Sequence, residues 1–200
     1  MTNDCRRAWP SRATIPYWDR HPDDFYVEPP WVSQRLFDSE IFIGEVIDPC
    51  CGSGNIVESA RAHHLPAEGW DIVDRGFPGI AIRDWLAPCD LRPCNVVCNP
   101  PFAIARPFTE LAVERARHKS AILFPTARLN AAGWLRALPL ARVWLLTPRP
   151  SMPPGEALLR GEKPGGGKTD FCWLVFDRDH IGSPRLRWLR RDEDADGSST

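Results

Sequence analysis

The chain has 200 residues, of which 43% are hydrophobic and 26% charged. That is the size of one domain rather than two, and the composition excludes a wholly disordered chain. No apolar run approaches the ~20 residues of a membrane-spanning helix, and Met1–Pro10 has charges but no apolar core, so no signal peptide is expected. Seven cysteines are an odd number in a chain that needs no staples, which predicts reduced thiols and a cytoplasmic setting. The 21 prolines predict short elements and long, pinned loops.

The net charge of −1 conceals a split. Residues 21–90 hold 13 acidic and 4 basic side chains, and residues 103–149 hold 2 acidic and 8 basic ones. A further 5 acidic and 8 basic residues follow in 150–191. The front half suits a small cationic ligand and the back half a polyanion. Both halves also read as ordinary solvated surface.

In chain order, residues 1–30 read as an extended arm and Trp31–Phe37 as a short helix. Glu45–Asp48 is a buried strand and Pro49–Gly54 a tight loop. Asn55, with Glu58 three positions on, opens a helix as its N-cap. Further strands are expected at Gly69–Val73, Ile80–Ile82, Asn95–Cys98, Ala121–Phe124, Arg142–Leu146 and Phe171–Phe176, which makes seven, with a helix at Ala103–His118. Residues 148–168, rich in Pro and Gly, read as a long loop, and residues 192–200 as an acidic tail. Strands alternating with helices predict an open, mostly parallel α/β sheet over residues 31–191. In such a sheet, ligands lie outside the carboxyl ends of the strands.

Two constellations follow strands. Asp48-Pro49-Cys50-Cys51-Gly52-Ser53-Gly54 joins a strand to a helix, and its glycines allow close approach of a ligand. It lacks the third glycine of a dinucleotide fingerprint, that position being Val57, and its acidic start favours an ammonium or sulfonium group over two phosphates. A tight strand-to-helix turn would look the same. Asp71, about 20 residues on, stands where a carboxylate accepts ribose hydroxyls, with Asp74 a second candidate. Asp84 after the third strand can accept an adenine amino group, with Trp85 packing beside it. The second constellation is Asn99-Pro100-Pro101-Phe102. Two prolines remove backbone donors and stiffen the loop. The Asn99 side chain and nearby carbonyls are left as acceptors for an exocyclic amino group, and Phe102 can stack on its ring.

The glycine loop resembles motif I of S-adenosylmethionine-dependent methyltransferases. The Asn-Pro-Pro-Phe tetrapeptide resembles motif IV of amino-methyltransferases, above all DNA adenine-N6 enzymes, and the wider pattern is similar to small phage and prophage enzymes. That pattern includes Tyr26, Pro29-Pro30-Trp31, Asp71 to Gly76, Asp84 and Lys168 to Trp173. The resemblance implies a Rossmann-like seven-stranded sheet, mostly parallel, with an antiparallel edge hairpin. It implies S-adenosylmethionine as cofactor and DNA as partner, double-stranded with base flipping or single-stranded, in a bacterial or phage-infected cell. By position, Tyr26 and Pro29 would border the methionine moiety, and Asp48, Cys50, Gly52 and Gly54 would form the cofactor loop. Asp71 would take the ribose, Ile72 would pack beside the cofactor's adenine, and Asp84 would take its amino group. Asn99, Pro100 and Phe102 would hold the substrate base, with Pro101, Lys168, Phe171 and Trp173 as further substrate contacts. The family often has Thr where this chain has Glu28. RNA bases, a protein glutamine, or a non-catalytic cofactor-binding role are the alternatives.

Other patterns fail. Gly161 and Gly167 enclose five residues, not the four of a P-loop, and the stretch precedes a strand. Cys89, Cys94 and Cys98 contain no Cys-x-x-Cys pair, so no metal site is expected. Arg92-Pro93-Cys94 precedes its strand, which argues against a covalent cysteine mechanism.

Overall fold

A computed structural model describes residues 25–161, 163 and 165–192. The expectations for residues 1–24 and 193–200 lie outside these described residues. Eight strands form one sheet: β1 (Val46–Asp48), β2 (Ala67–Asp71), β3 (Ala81–Ile82), β4 (Asn95–Cys98), β5 (Lys119–Pro125), β6 (Leu140–Thr147), β7 (Phe171–Asp177) and β8 (Arg185–Arg190). Their order is β3-β2-β1-β4-β5-β7-β6-β8. The helices are α1 (Pro30–Ser39), α2 (Asn55–Ala62), α3 (Ala105–Arg115) and the one-turn α4 (Gly155–Leu159).

The sheet is Rossmann-like, and β7 alone runs antiparallel, wedged between β5 and β6. β8 pairs in parallel with β6 and adds an eighth strand beyond the expected seven. It escapes the pattern because Leu186 and Trp188, which share one face, are exposed, and only Leu189 is buried. β2 lies two residues earlier than expected. Asp71 ends it by turning its carboxylate back onto the loop N–H groups, so Ile72 and Val73 leave the sheet. Residues 148–168 are not wholly loop, since α4 forms within them.

Two apolar layers sandwich the sheet. On one face Val32 and Leu36 of α1 and Ile56, Val57 and Ala60 of α2 pack against Val46, Val97, Leu123 and Trp173. On the other, Phe108 and Ala112 of α3 pack against Val96, Ile122, Phe124 and Leu174. Seven-residue runs buried on both sides, such as β5, are what a central strand between two helical layers requires.

α1 is fastened at both ends. Its first turn is cross-linked to α2 by Ser33 Oγ and Ser59 Oγ at 2.8 Å, and Trp173 Nε1 donates to Val32 O at 3.0 Å. Just past its last turn, buried Glu40 accepts from Lys119 Nζ at 3.2 Å, from Arg142 Nη2 at 2.7 Å and Nε, and from Trp144 Nε1 at 2.9 Å. Lys119 and Arg142 stand at the amino ends of β5 and β6. α1 therefore runs antiparallel to these strands, and Pro30 faces their carboxyl ends. Removing one member of a buried ion cluster leaves its partners short of compensating charge, and Asp177, at 3.9 Å from Lys119 Nζ and 3.7 Å from Arg142 Nη2, stands farther off than Glu40. Glu40→Ala is expected to cost about 3–5 kcal/mol in urea unfolding, against under ~1 kcal/mol for removal of the exposed Arg106–Glu110 pair.

Candidate active site

The first part of the site is the β1–α2 loop. Asp48, buried at the tip of β1, accepts the Cys50 N–H through Oδ1 at 3.2 Å. Cys51 N–H bonds Trp70 O at 2.8 Å, and Gly52 N–H bonds Asp71 Oδ2 at 3.1 Å, so the loop is tied to β2. Gly52 and Gly54 have φ of +51° and +87°, which side chains resist. Gly54 is itself the N-cap of α2, in left-handed conformation. Asn55 is thus not the cap. Its Nδ2 donates instead to Glu28 O at 2.7 Å and holds the arm.

Asp71, the last residue of β2, is 6% exposed. Its Oδ2 takes the Gly52 N–H and its Oδ1 the Val73 N–H at 3.1 Å, leaving each oxygen a second lone pair. Beside it lies Arg75, whose Nε is 3.8 Å from Oδ2, buried, and without a hydrogen-bond partner. The Arg75 guanidinium stacks over the Phe25 ring at 4.0 Å. That ring lies where a Cβ on Gly52 or on Gly155 would project, so both glycines form a cradle. Ile72 is half-buried next to Asp71. Asp84 follows β3, with Oδ1 accepting the Leu86 N–H at 2.9 Å. Trp85 does not flank a ligand: it is buried against Trp70, with its Nε1 toward Phe108 O and Arg115 over its ring. Asp74 is occupied as a turn residue, accepting the Gly76 N–H at 2.8 Å.

The second part is the loop after β4. Asn99 follows Cys98, and its backbone oxygen takes the Cys50 Sγ contact at 3.2 Å, which joins the two loops. Asn99 Nδ2 donates to Tyr26 O and to Glu28 Oε2, both at 2.9 Å. The arm that supplies these acceptors pairs with the 153–155 segment through Val27 N–H to Pro153 O and Gly155 N–H to Phe25 O. Phe102 lies nearly parallel to Tyr26 at 6.0 Å, and Arg128 Nη1 anchors its carbonyl at 2.8 Å. Pro100 is buried and Pro101 half-buried.

Two expected substrate contacts are displaced. Trp173 is fully buried, with its indole N–H on α1, and Phe171 is 5% exposed, its ring 5.5 Å from Phe102. β7 is a central strand covered on both faces, so neither ring can offer a face to an extruded base. Lys168 is exposed just before this strand. Arg106, Arg128 and Arg149 are exposed on the same edge, Arg149 in an open ion pair with Asp170.

Three buried carboxylates converge on the loops. Burial pushes Glu28 up to about 7, opposed by hydrogen bonds from its own backbone and from Asn99. Burial, followed by the charges of Glu28 and Asp71, pushes Asp48 well above the usual carboxylate range. The Cys50 and Cys98 thiols are also raised, chiefly by burial, so both stay protonated. Such an enclosure disfavours a second anion and accommodates a cation. The donor set fits a nucleoside bearing a cationic group, with the Asp71 lone pairs and Arg75 Nε for a diol and Asp48 for the positive centre, while the Gly52 cradle is taken by the Phe25 ring. Glu28, Phe25, Arg75 and Arg128 were not foreseen from sequence. Only Glu28, an acidic residue between apolar Val27 and two prolines, carried a visible signal.

No family model and no curated protein sequence matches the chain. Solved structures do. The M protein of the type I restriction enzyme EcoKI superposes with a TM-score of 0.57 at 14% identity, over 84% of this chain and 49% of that one. This chain thus matches about half of the M protein's length. A Pyrococcus horikoshii protein whose description proposes an RNA methyltransferase gives 0.54 at 15% identity, over 76% and 82%. A predicted O-methyltransferase of Agrobacterium tumefaciens gives 0.52 at 10% identity, over 78% and 85%. At these identities the likeness is one of fold: the chain has the fold of these methyltransferases.

The Glu28 shift has a consequence for stability. With a folded value of about 7 against 4.5 for the free group, the folded state binds the extra proton between those limits. Glu28 therefore favours folding most below pH 4.5, and that contribution is lost as pH rises through 7. Glu28→Gln is expected to gain stability over the native chain as pH is raised from 5 to 8, measured by urea unfolding at each pH.

Proposed function

We propose that this chain transfers a methyl group from S-adenosylmethionine to the exocyclic N6 of adenine in DNA. The observation that carries the reading is Asn99 at the tip of β4, its amide nitrogen bonded to the arm and its oxygen accepting from no described residue, beside a glycine loop ringed by buried carboxylates. The cofactor, when bound, supplies a methyl on a sulfonium for in-line displacement. Asp71 would accept its ribose hydroxyls, with Ile72 beside the adenine and Asp84 near the adenine amine. Gly52, Gly54, Cys50 and Asp48 would line its methionine end, with Tyr26 and Pro29 of the arm closing over it.

An adenine amine is a poor nucleophile because its lone pair is delocalised into the ring. Asn99 Oδ1 and the Pro100 carbonyl would each accept one amine hydrogen, which draws the nitrogen toward tetrahedral and frees the lone pair. Phe102 would stack on the ring, in a row with Tyr26. Catalysis is then positioning and electrostatics, with no covalent enzyme intermediate: the N–C bond would form as the methyl–sulfur bond breaks, leaving a neutral thioether, and the extra amine proton would pass to solvent. The base must leave a duplex to reach this loop, and Arg106, Arg128, Arg149 and Lys168 would hold phosphates. Such contacts give affinity without sequence, so a short or degenerate target is expected.

Expression in a methylation-deficient bacterium, with genome-wide mapping of modified bases, tests this reading. N6-methyladenine at short sites is expected with the native chain and is absent with Asn99→Ala. Purified Asn99→Ala should bind S-adenosylmethionine within a few-fold of the native chain, whereas Asp71→Ala should bind it more weakly by about 1–3 kcal/mol. Modified RNA or protein with unmodified DNA would overturn the substrate assignment.

A further inference from the structure

An asparagine amide has a donor end and an acceptor end, and an enzyme that uses only the oxygen must prevent the group from turning over. At Asn99 the orientation is fixed by chemistry. Tyr26 O is a main-chain carbonyl with no proton to give, so the end of the amide 2.9 Å from it must be the NH₂. The same nitrogen donates to Glu28 Oε2 at 2.9 Å. Both amide hydrogens are thus engaged by the arm. Rotation by 180° would bring Oδ1 against a carbonyl and a carboxyl oxygen together.

Both acceptors are themselves held. Tyr26 sits between the two main-chain bonds that pair residues 25 and 27 with residues 155 and 153. Glu28 is 6% exposed, its carbonyl is tied to Asn55 Nδ2, and Pro29 and Pro30 stiffen the chain behind it. Asn55 opens α2 directly behind the glycine loop, so one residue links that loop to the arm.

We propose that Glu28 is a positioning residue that locks the Asn99 amide with its oxygen toward the substrate amine, so that the arm sets the reactive loop rather than only covering the cofactor. This rests on the reading of Asn99 as the acceptor for an amine. The lock requires an acceptor oxygen at residue 28 and no charge, because a protonated carboxyl or a glutamine amide still offers one.

The test uses the full chain, native and as Glu28→Met and Glu28→Gln, with S-adenosylmethionine and an adenine-containing oligonucleotide. For Glu28→Met a 10–100-fold fall in kcat is expected, with the KM for DNA within threefold and cofactor affinity within fivefold of native. Glu28→Gln is expected to restore kcat to within threefold. In the native chain alone, NMR should show the Asn99 side-chain amide protons exchanging with solvent at least tenfold more slowly than those of exposed Asn130. An unchanged kcat in Glu28→Met, or a loss of cofactor affinity as large as the loss of kcat, overturns the proposal. So does Asn99 exchange as fast as that of Asn130, which decides the matter even if Glu28→Met does not fold. Absence of any transfer to DNA by the native chain would sink the substrate reading, while the exchange measurement would still decide whether the amide is locked.

Discussion

A single buried carboxylate sets the frame of the molecule. Glu40, just beyond α1, gathers Lys119 of β5 and Arg142 and the Trp144 indole N–H of β6, two strands that flank β7. Three donor side chains on one carboxylate satisfy its lone pairs, and Glu40 and Asp177 together balance the two cations, which is the condition under which a buried ion cluster is tolerable. Because that end of the helix is pinned at the amino edge, its ten residues carry the chain about 15 Å toward the carboxyl edge. Phe25 to Pro29 are delivered there, in front of Asn99. The ion cluster and the amide of Asn99 are opposite ends of one lever.

The charge split takes a specific form in three dimensions. The acidic half is largely withdrawn from the surface at the site: Glu28, Asp48 and Asp71 are buried, while Asp84 is exposed. Burial, followed by the charges of Glu28 and Asp71, raises the proton affinity of Asp48, and burial raises that of Glu28, so the enclosure is poorly disposed to hold full negative charge. A cation entering would draw Asp48 back toward ionisation. The basic half is arranged differently, with Arg106, Arg128, Arg149 and Lys168 exposed around the rim of the loop after β4. The exposed pair Arg149–Asp170 is worth little in itself, so its arginine can change partners at small cost.

The glycine loop and the Asn-Pro-Pro-Phe turn were legible because their chemistry is local: each lies within a few residues after a strand. What was illegible depended on approach from afar. Glu28 meets Asn99 across 71 positions, and no local pattern announces such a meeting. Phe171 and Trp173 looked like stacking rings because an aromatic at a loop-to-strand junction reads the same whether it faces a ligand or a helix. Trp173 turned out to serve α1 through its N–H. Ile72 and Val73 imitated a strand although Asp71 had already ended it, and the eighth strand was hidden by arginines alternating with apolar residues that the fold leaves in the open.

That eighth strand runs parallel to β6, so its carboxyl end reaches the edge where the two loops meet. There Arg191 N–H bonds Thr147 O and Arg35 clasps the Arg191 carbonyl, which fixes the point at which the chain leaves the sheet. From β8 to β4 are four strand spacings, roughly 19 Å. About six extended residues cover that distance. A sequence-reading module grafted behind β8 with a short linker would therefore begin its search already on the ligand side of the sheet. The same module inserted in the loop between β7 and β8 would emerge at the amino edge, beside Glu40, and face away from any nucleic acid held there.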